Sequence, residues 1–347
     1  MRYDVAPPEG GTSNCMKHLA EIVNNFSNKR IVVIGDVIAD QFIYGEISRV
    51  SREAPVFILR HEHTETTPGG AGNCAMNLAA LGAQVKLISV LGDDETGRTL
   101  QGKLRAASID CADLLVSNEQ RTTTKVRVLA GQIHSTRQQV IRIDYDNEPG
   151  LTAELKQNLK AAAAEAINGA DAVIVSDYNY GVADPAVGEV VLEAKQLKEI
   201  PLLVDSRFRL SSFPSFTSAT PNEDEVEALL GERHGDRVAM ESAAQQLRQR
   251  LGYEALLVTR GGHGMMLVED GAAPLHIEAV GSKLPVDVTG AGDTVIATYT
   301  LALSAGASFA EAARLANLAG GIVVSKRGTS TVSVDEILSS IAQGSNA

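Results

Sequence analysis

Residues 287–294 read Asp-Val-Thr-Gly-Ala-Gly-Asp-Thr and run directly into the apolar segment 295–303. The turn consists of three small residues, Gly290, Ala291 and Gly292. Small residues let the backbone turn tightly, so successive N–H groups converge at the N-terminus of the predicted helix and favour phosphate oxygens. Asp293 puts a carboxylate beside this anion site, which suits a base that takes a proton from an attacking hydroxyl. The alternative is an ordinary helix start in which Asp293 complements the helix dipole.

The composition indicates a globular protein of one large or two small α/β domains, with 347 residues and 44% hydrophobic content. The formal net charge of −12 argues against nucleic acid or an acidic membrane as a partner. Cys15, Cys74 and Cys111 form no Cys-x-x-Cys pair, which favours a reducing compartment without a disulfide framework or a zinc site. Because the sequence has neither an apolar signal segment nor a long apolar run, we expect a soluble, cytoplasmic protein.

Short apolar strands alternate with helical patterns along most of the chain. The predicted strands are 30–35, 85–90, 172–176 and 202–205, and the predicted helices are 95–107, 152–168 and 186–198. This alternation predicts a doubly wound, mostly parallel α/β sheet with helices on both faces. Ligands collect at the carboxyl edge of such sheets. Asp36 follows the first strand and is either an acceptor for a sugar hydroxyl or a turn cap, and Asp40 is the weaker alternative.

Two β-prone hairpins are too polar for the central sheet. Residues 42–47 pair in the prediction with 56–60, and residues 123–129 with 139–145. We expect them to form one small separate sheet, a lid built from about residues 41–61 and 121–146.

A glycine-rich hinge, Pro68 to Gly82, leads into an Ala-rich helix. Gly70, Gly72 and Ala75 fit a loose dinucleotide fingerprint, which requires a preceding strand. Residues 64–68 are not a predicted strand, and we therefore reject the fingerprint. What remains is a hinge that allows close approach of a ligand, with Asn73 able to donate to it, or simply a tight helix start.

Two further stretches leave alternatives open. Residues 221–225 (Pro-Asn-Glu-Asp-Glu) open a helix with Asn222 as N-cap and acidic residues that suit the dipole, or they turn Glu225 toward a metal ion. Residues 260–264 (Arg-Gly-Gly-His-Gly) form a hairpin turn or a turn flattened against a nucleotide. The sequence contains no Walker A motif, which excludes a P-loop kinase.

The chain resembles the ribokinase-like (PfkB) carbohydrate kinases in three motifs and in their order. The motifs are Gly69-Gly70 with Asn73, then Asn222-x-x-Glu225, then the 287–293 stretch. The resemblance covers about residues 29–339 and leaves an N-terminal extension, 1–28, partly disordered, and a tail, 340–347. Four stretches look most like the D-glycero-D-manno-heptose 7-phosphate kinases, which make the sugar bisphosphate precursor of ADP-heptose: 49–56, 124–128, 141–144 and 328–333.

The resemblance implies ATP as phosphoryl donor and a role for each motif. Asp293 is the base for the anomeric hydroxyl, and residues 290–292 receive the transferring phosphoryl oxygens. The residues implied to contact the sugar substrate are Asp36, Gly69, Gly70, Asn73, Lys125 and Arg142. Those implied to line the nucleotide site are Asn222, Glu223, Asp224, Glu225, Thr259, Arg260, Gly261, Gly264 and Asn317. Magnesium is expected at Glu225 through water, and potassium near Asp287 and residues 328–330.

Two departures concern the substrate, because Tyr180 and Arg207 stand where heptose kinases typically carry lysines. Three readings therefore remain: a heptose 7-phosphate kinase, a kinase of another sugar or sugar phosphate, and a non-catalytic binding protein. The chain ends near where some family members begin a fused nucleotidyltransferase domain, so we expect ADP-heptose synthesis to need a separate partner.

Exposed lid sheets predict a homodimer in which two such sheets pack together. The residues expected on the shared face are Ile43, Val56, Ile58, Val126, Val128 and Ile141.

Overall fold

The predicted alternation of strands and helices is present as a nine-stranded sheet with a separate four-stranded sheet. The computed structural model describes residues 11–131, 137–147, 150–195, 198–233, 236–281 and 285–344. The strands are β1 (Arg30–Gly35), β2 (Val37–Val50), β3 (Phe57–Gly70), β4 (Gln84–Gly92), β5 (Leu114–Ser117), β6 (Thr124–Gly131), β7 (Gln138–Tyr145), β8 (Ala172–Asp177), β9 (Leu202–Ser206), β10 (Ser218–Ala219), β11 (Ala255–Thr259), β12 (Met265–Glu269) and β13 (Leu275–Ile277).

The helices follow the same chain order. They are α1 (Gly11–Asn24), α2 (Ala71–Ala80), α3 (Glu95–Ala106), α4 (Ala153–Ile167), α5 (Pro185–Lys195), α6 (Glu223–Leu230), α7 (Arg237–Leu251), α8 (Ala291–Ser304), α9 (Phe309–Val323) and α10 (Val334–Gly344). Within the described ranges, no helix combines the length and the apolar character that a membrane crossing requires.

The large sheet has the strand order β13-β12-β11-β10-β9-β8-β1-β4-β5. In the described part of the chain, the seven strands from β11 to β5 in this order are all parallel. The strands β12 and β13, at the other edge of the sheet, pair in antiparallel fashion. Alternate side chains of β1 point to opposite faces: Val33 joins the core with α2, α8 and α9, and Ile34 joins the core with α4, α5 and α7. Apolar cores on both faces confirm the predicted doubly wound architecture.

The four-stranded sheet has the order β3-β2-β6-β7, and its central pair, β2 and β6, is parallel. β2 continues from β1 with only Asp36 between them, so the small sheet extends directly from the carboxyl edge of the large one. The two predicted hairpins therefore do form one sheet. Their strands are longer than predicted, because β2 and β3 run on through polar residues that carry little hydrophobic periodicity.

The prediction that residues 64–68 are not a strand is wrong, because they lie within β3. The dinucleotide fingerprint is still not present. β3 pairs in antiparallel fashion in the small sheet, whereas the fingerprint requires the first parallel strand of a βαβ unit. Cys74 and Cys111 are buried free thiols, and the side chain of Cys15 lies outside the described part of the chain.

Candidate active site

The N-terminus of α8 is open at the carboxyl edge of the large sheet. Gly290 is the N-cap residue, with the left-handed φ of 77°, and no side chain caps the helix there. A Cβ on Gly290 would lie 2.4 Å from Asn73 Nδ2, so both the backbone angle and the space require glycine. The predicted tight turn before the helix is confirmed. Ala291 N donates to the Val288 carbonyl at 3.2 Å, so the candidates for an anion among the first N–H groups are those of Gly292 and Asp293.

Asp293 lies in the first turn of α8 and is only 3% exposed. Its Oδ2 accepts a hydrogen bond from Asn73 Nδ2 at 2.8 Å, and its Oδ1 accepts one from the Tyr178 hydroxyl at 2.8 Å. Burial raises the pKa of Asp293 to about 7, although the two hydrogen bonds act in the opposite direction. A carboxylate with a pKa near neutrality is suited to accept a proton from a hydroxyl at physiological pH.

Asn73, predicted to donate to a ligand, donates instead to Asp293 and to the Gly290 carbonyl at 3.2 Å. Its amide is oriented by Asn77, whose Nδ2 donates to Asn73 Oδ1 at 3.1 Å. The Thr294 hydroxyl in turn donates to Asn77 Oδ1. Sequence reasoning missed Asn77. Its spacing of one helical turn from Asn73 was the available signal.

Asp36 is 2% exposed, and the structure favours the turn-cap alternative over the sugar-acceptor interpretation. Its carboxylate accepts backbone hydrogen bonds from Tyr178 N at 2.8 Å, Tyr180 N at 3.1 Å and Val182 N at 2.9 Å. Burial raises the pKa of Asp36 to about 6 against the effect of these bonds. Asp36 thus fixes the loop after β8. Tyr178, which belongs to that loop, makes the contact to Asp293.

Asp40, the weaker candidate from the sequence, contacts residues of β6 and of the segment before α10. Its carboxylate pairs with Arg127 of β6 and accepts a hydrogen bond from the Thr329 hydroxyl at 3.2 Å. The charge of Asp40 also raises the pKa of Asp293. The role of Asp40 as a sugar ligand stays a prediction.

Gly69 and Gly70 form the junction between β3 and α2. A Cβ on Gly69 would lie 2.3 Å from Asp40 Oδ2, and one on Gly70, at φ 57°, would lie 2.6 Å from the Asp36 carbonyl oxygen. Both positions therefore require glycine for close packing within the chain. Their predicted approach to a ligand stays a prediction.

The small sheet presents cationic side chains toward the loop after β8. Lys125 is 8% exposed, and its Nζ lies 5.5 Å from the centroid of the Tyr178 ring and 5.8 Å from that of Tyr180. Burial, and then the charge of Arg207, lower the pKa of Lys125. Arg142, by contrast, is exposed and makes a bidentate pair with Asp144 of its own strand. The charges of Arg207 and then of Arg142 thus both act to lower the pKa of Lys125.

An apolar cleft of about 220 Å³ adjoins the open end of α8. Its lining includes Thr259, Gly261, Gly264, Ala291, Gly292 and Asn317. Asn317 also donates to the Glu278 carbonyl at 2.8 Å. A Cβ on Gly264 would lie 2.0 Å from the Ile277 carbonyl oxygen, so glycine is required for the turn that forms the cleft wall. The structure brings these predicted nucleotide residues together around one space.

The N-terminus of α6 confirms the capping interpretation of residues 222–225. Asn222 Oδ1 accepts from Glu225 N, and Glu225 Oε2 accepts from Asn222 N, which is a capping box. Glu223 pairs with Arg260 Nε at 2.7 Å and so joins α6 to the glycine turn. Asp224 is exposed.

The pKa of Glu225 is raised by desolvation, and that of Asp205 is raised well above its ordinary value by desolvation and then by Glu225. In the described residues, no group of three or more His, Cys, Asp or Glu side chains is arranged to hold a metal ion alone. Magnesium usually keeps several waters and binds through few carboxylates together with substrate phosphates. Two neighbouring carboxyls of raised pKa fit such a partner, because a cation would relieve their mutual repulsion.

Asp287 connects the 287–294 stretch to the segment before α10. Its Oδ1 accepts from Thr289 N at 2.9 Å, and its Oδ2 accepts from Gly328 N at 3.0 Å. The two segments predicted to share a monovalent cation are thus adjacent. Both carboxylate oxygens already hold backbone donors.

Several known proteins are similar to this chain in sequence. The family model described as pfkB family carbohydrate kinase matches residues 28–336. The bifunctional protein HldE of Caulobacter vibrioides is 40% identical over 331 residues, which cover 94% of this chain and 66% of that protein. HldE of Coxiella burnetii is 39% identical over 322 residues, covering 92% and 65%. The chain thus spans about two thirds of the length of these relatives.

Two solved structures share the fold. The Arabidopsis thaliana ribokinase complexed with ribose and ATP has a TM-score of 0.69 and 20% identity, covering 92% of this chain and 99% of that one. Phosphofructokinase-2 from Escherichia coli in complex with potassium has a TM-score of 0.72 and 20% identity, covering 91% and 98%.

Proposed function

Because this chain belongs to the pfkB family of carbohydrate kinases, we propose that it transfers the γ-phosphoryl group of ATP to the anomeric hydroxyl of D-glycero-D-manno-heptose 7-phosphate. The product would be the 1,7-bisphosphate, the precursor for ADP-heptose synthesis. The observation that carries the phosphotransfer part is the buried Asp293 carboxylate, with a pKa of about 7, in the first turn of a helix whose N-terminus is open.

In the proposed step, the sugar hydroxyl oxygen attacks the γ-phosphorus while Asp293 takes its proton. The bond between the γ-phosphorus and the bridging oxygen breaks, and ADP leaves with that oxygen. The N–H groups at the start of α8 receive the negative charge on the transferring oxygens. The cleft lined by Gly264 and Asn317 would hold the nucleotide base. Magnesium near Glu225 and Asp205 would supply charge neutralisation on the nucleotide phosphates.

A sugar phosphate is supported by the cations near the loop after β8. Lys125 is buried, and the charge of Arg207 contributes to lowering its pKa. A phosphate group on the sugar, in addition to those of ATP, would relieve the repulsion between these two cations. The choice of heptose 7-phosphate as the substrate rests on the motif resemblance at residues 49–56, 124–128, 141–144 and 328–333. A second candidate is another sugar or sugar phosphate, because Tyr180 and Arg207 replace the lysines typical of heptose kinases.

The test is the purified chain with ATP and magnesium against a panel of sugars and sugar phosphates, scored by kcat/KM. We expect heptose 7-phosphate to lead the panel and chelation of magnesium to stop turnover. We also propose that potassium activates through the Asp287 region, so sodium should support a slower rate. A different leading sugar would overturn the substrate, equal rates in the two salts would overturn the potassium site, and an inactive panel would overturn the kinase proposal.

We propose that two chains pair through their small sheets. The strand register places Ile43 beside Val128, and Val128 beside Ile141, in one row across β2, β6 and β7. Ile141 is 53% exposed at the end of this row, and Ile143 of the same strand is exposed as well. An exposed apolar sheet face of this kind is usually covered by a partner.

Val128→Asp is expected to lower both the dimer fraction and turnover, because a charge would be desolvated in the interface that holds the lid. Sedimentation at micromolar concentration measures the first effect and the kinase assay the second. The matched control is Val238→Asp on α7, where the valine is 72% exposed and far from the small sheet in the chain. A native chain that is monomeric and fully active would contradict the pairing.

A further inference from the structure

Tyr178 makes a contact to Asp293 that the sequence motifs do not assign. Its hydroxyl donates to Asp293 Oδ1 at 2.8 Å, while Asn73 donates to the other carboxylate oxygen. Its ring lies between the small sheet and the glycine junction: Lys125 Nζ is 5.5 Å from the ring centroid, and a Cβ on Gly70 would come 3.3 Å from the ring edge. Tyr178 therefore donates to the proposed base and lies next to both the Gly69-Gly70 junction and the small sheet.

We propose that Tyr178 is a positioning residue that fixes the carboxylate of Asp293 and keeps it ionised at working pH. The inference rests on the proposed function, because it presumes that Asp293 is the base. A hydrogen bond to the charged form of an acid favours that form, and a donor on each oxygen also fixes the plane of the carboxylate. Asn73 alone would leave one oxygen of a buried base without a side-chain donor.

The loop after β8 is built to hold this phenol in place. Tyr178 N and Tyr180 N donate to Asp36 Oδ2, and Asn179 N donates to Asp177 Oδ1 at 2.9 Å. Asp177 is held in turn by Arg209 and by the Ser206 hydroxyl. Asn179 adopts the left-handed φ of 66°, a conformation that is uncommon for most non-glycine residues and that asparagine tolerates. Two buried carboxylates thus fix the backbone on both sides of the Tyr178 side chain.

Charged groups around Asp293 shift its pKa in both directions. Asp40 on β2 raises the pKa of Asp293, and Lys125 on β6 lowers it. Asp205 in β9 and Cys74 on α2 are further titratable groups whose pKa is raised by burial and also by the charge of Asp293. The pKa of the Tyr178 hydroxyl is raised well above its ordinary value by burial and by Asp293, so the hydroxyl stays protonated and remains a donor. Removing that donor should raise the pKa of Asp293.

The experiment is the pH profile of kcat for Tyr178→Phe with the leading sugar of the panel. We expect its acid limb to move to higher pH by about one unit, the shift that corresponds to one hydrogen bond to a charged group. The rate on the alkaline plateau and the KM for ATP should stay within a few-fold of wild type. Tyr253→Phe is the matched control, because it deletes a buried hydroxyl that donates to the Phe213 carbonyl at 2.8 Å, away from Asp293.

An acid limb that does not move would overturn the inference. An equal loss of rate at every pH would overturn it as well, because that result indicates a structural role only. A second measurement needs no turnover: the gap in Tm between wild type and Tyr178→Phe should widen as pH rises through about 7, whereas the Tyr253→Phe gap stays constant. A constant gap for Tyr178→Phe overturns the hydrogen-bond inference, and an inactive wild type with a widening gap overturns only the proposed function.

Discussion

Asp293→Asn is expected to reduce turnover by at least about 10²-fold, the usual contribution of a positioned general base. The amide has nearly the same shape but cannot accept the proton of the attacking hydroxyl. ATP affinity should stay within a few-fold, since the nucleotide cleft is lined by other residues. Steady-state kinetics and nucleotide binding by calorimetry measure the two effects. Near-native turnover would remove Asp293 from the catalytic role.

The same variant should be more stable than wild type in alkaline buffer, which separates lost chemistry from lost folding. Burial raises the pKa of Asp293 from 3.8 to about 7, so its contribution to stability is full below the lower value and is lost as pH rises through the upper one. Asparagine has no such titration. We expect its gain over wild type at pH 8 to be about 1 to 3 kcal/mol, seen as a higher Tm. A lower Tm at pH 8 would contradict the assignment of a buried carboxylate whose desolvation outweighs its two hydrogen bonds.

Much of the large sheet could be predicted because its strands are buried on both faces. Strands such as β1 and β8 read as short apolar runs bounded by glycine or aspartate, and the helices between them carry recognisable caps. The 287–294 stretch was also readable, because a tight turn and a helix start are local features. The capping box at Asn222 and Glu225 belongs to the same class, since its two partners are three residues apart.

The small sheet was harder to predict for a physical reason. Most of β3 and all of β7 are exposed or partly exposed, so neither face of the strand imposes a strict alternation of polar and apolar residues. The parallel pairing of β2 with β6 joins segments about 80 residues apart, and nothing in either segment marks its partner. The sequence pattern therefore predicts strands that are too short and leaves residues 64–68 outside β3.

The site shows the same division. Asp293 and Gly290 are neighbours in the chain and were found together. The contact from Tyr178 to Asp293 spans 115 residues, and the contacts of Asp36 to the loop after β8 span 142 to 146 residues. A carboxylate after a strand looks the same in the sequence whether it binds a sugar or three backbone N–H groups. Only the fold decides between the two roles.

Asp36→Ala is expected to lower the free energy of unfolding by about 3 kcal/mol, because it leaves three backbone donors, one buried and two part-buried, without their acceptor. Turnover on the acid limb of the pH profile should fall as well, since the loop that positions Tyr178 loses its anchor. Thermal unfolding and steady-state kinetics measure the two effects. The control is Asp236→Ala, which removes a single exposed N-cap bond on α7 and should cost about 1 kcal/mol without changing the kinetics.

A role as sugar ligand makes the opposite prediction: a raised KM for the sugar with an unchanged Tm. The double variant Asp36→Ala with Tyr178→Phe separates the two further. We compare kcat at a pH on the acid limb, where Tyr178→Phe loses rate. If Asp36 acts through the position of Tyr178, the loss in the double variant should be close to that of Asp36→Ala alone, because residues that act as one unit are not additive. If Asp36 binds the sugar directly, the two losses should multiply, since separate contacts contribute independently to the transition state. Multiplied losses would therefore return Asp36 to the sugar pocket.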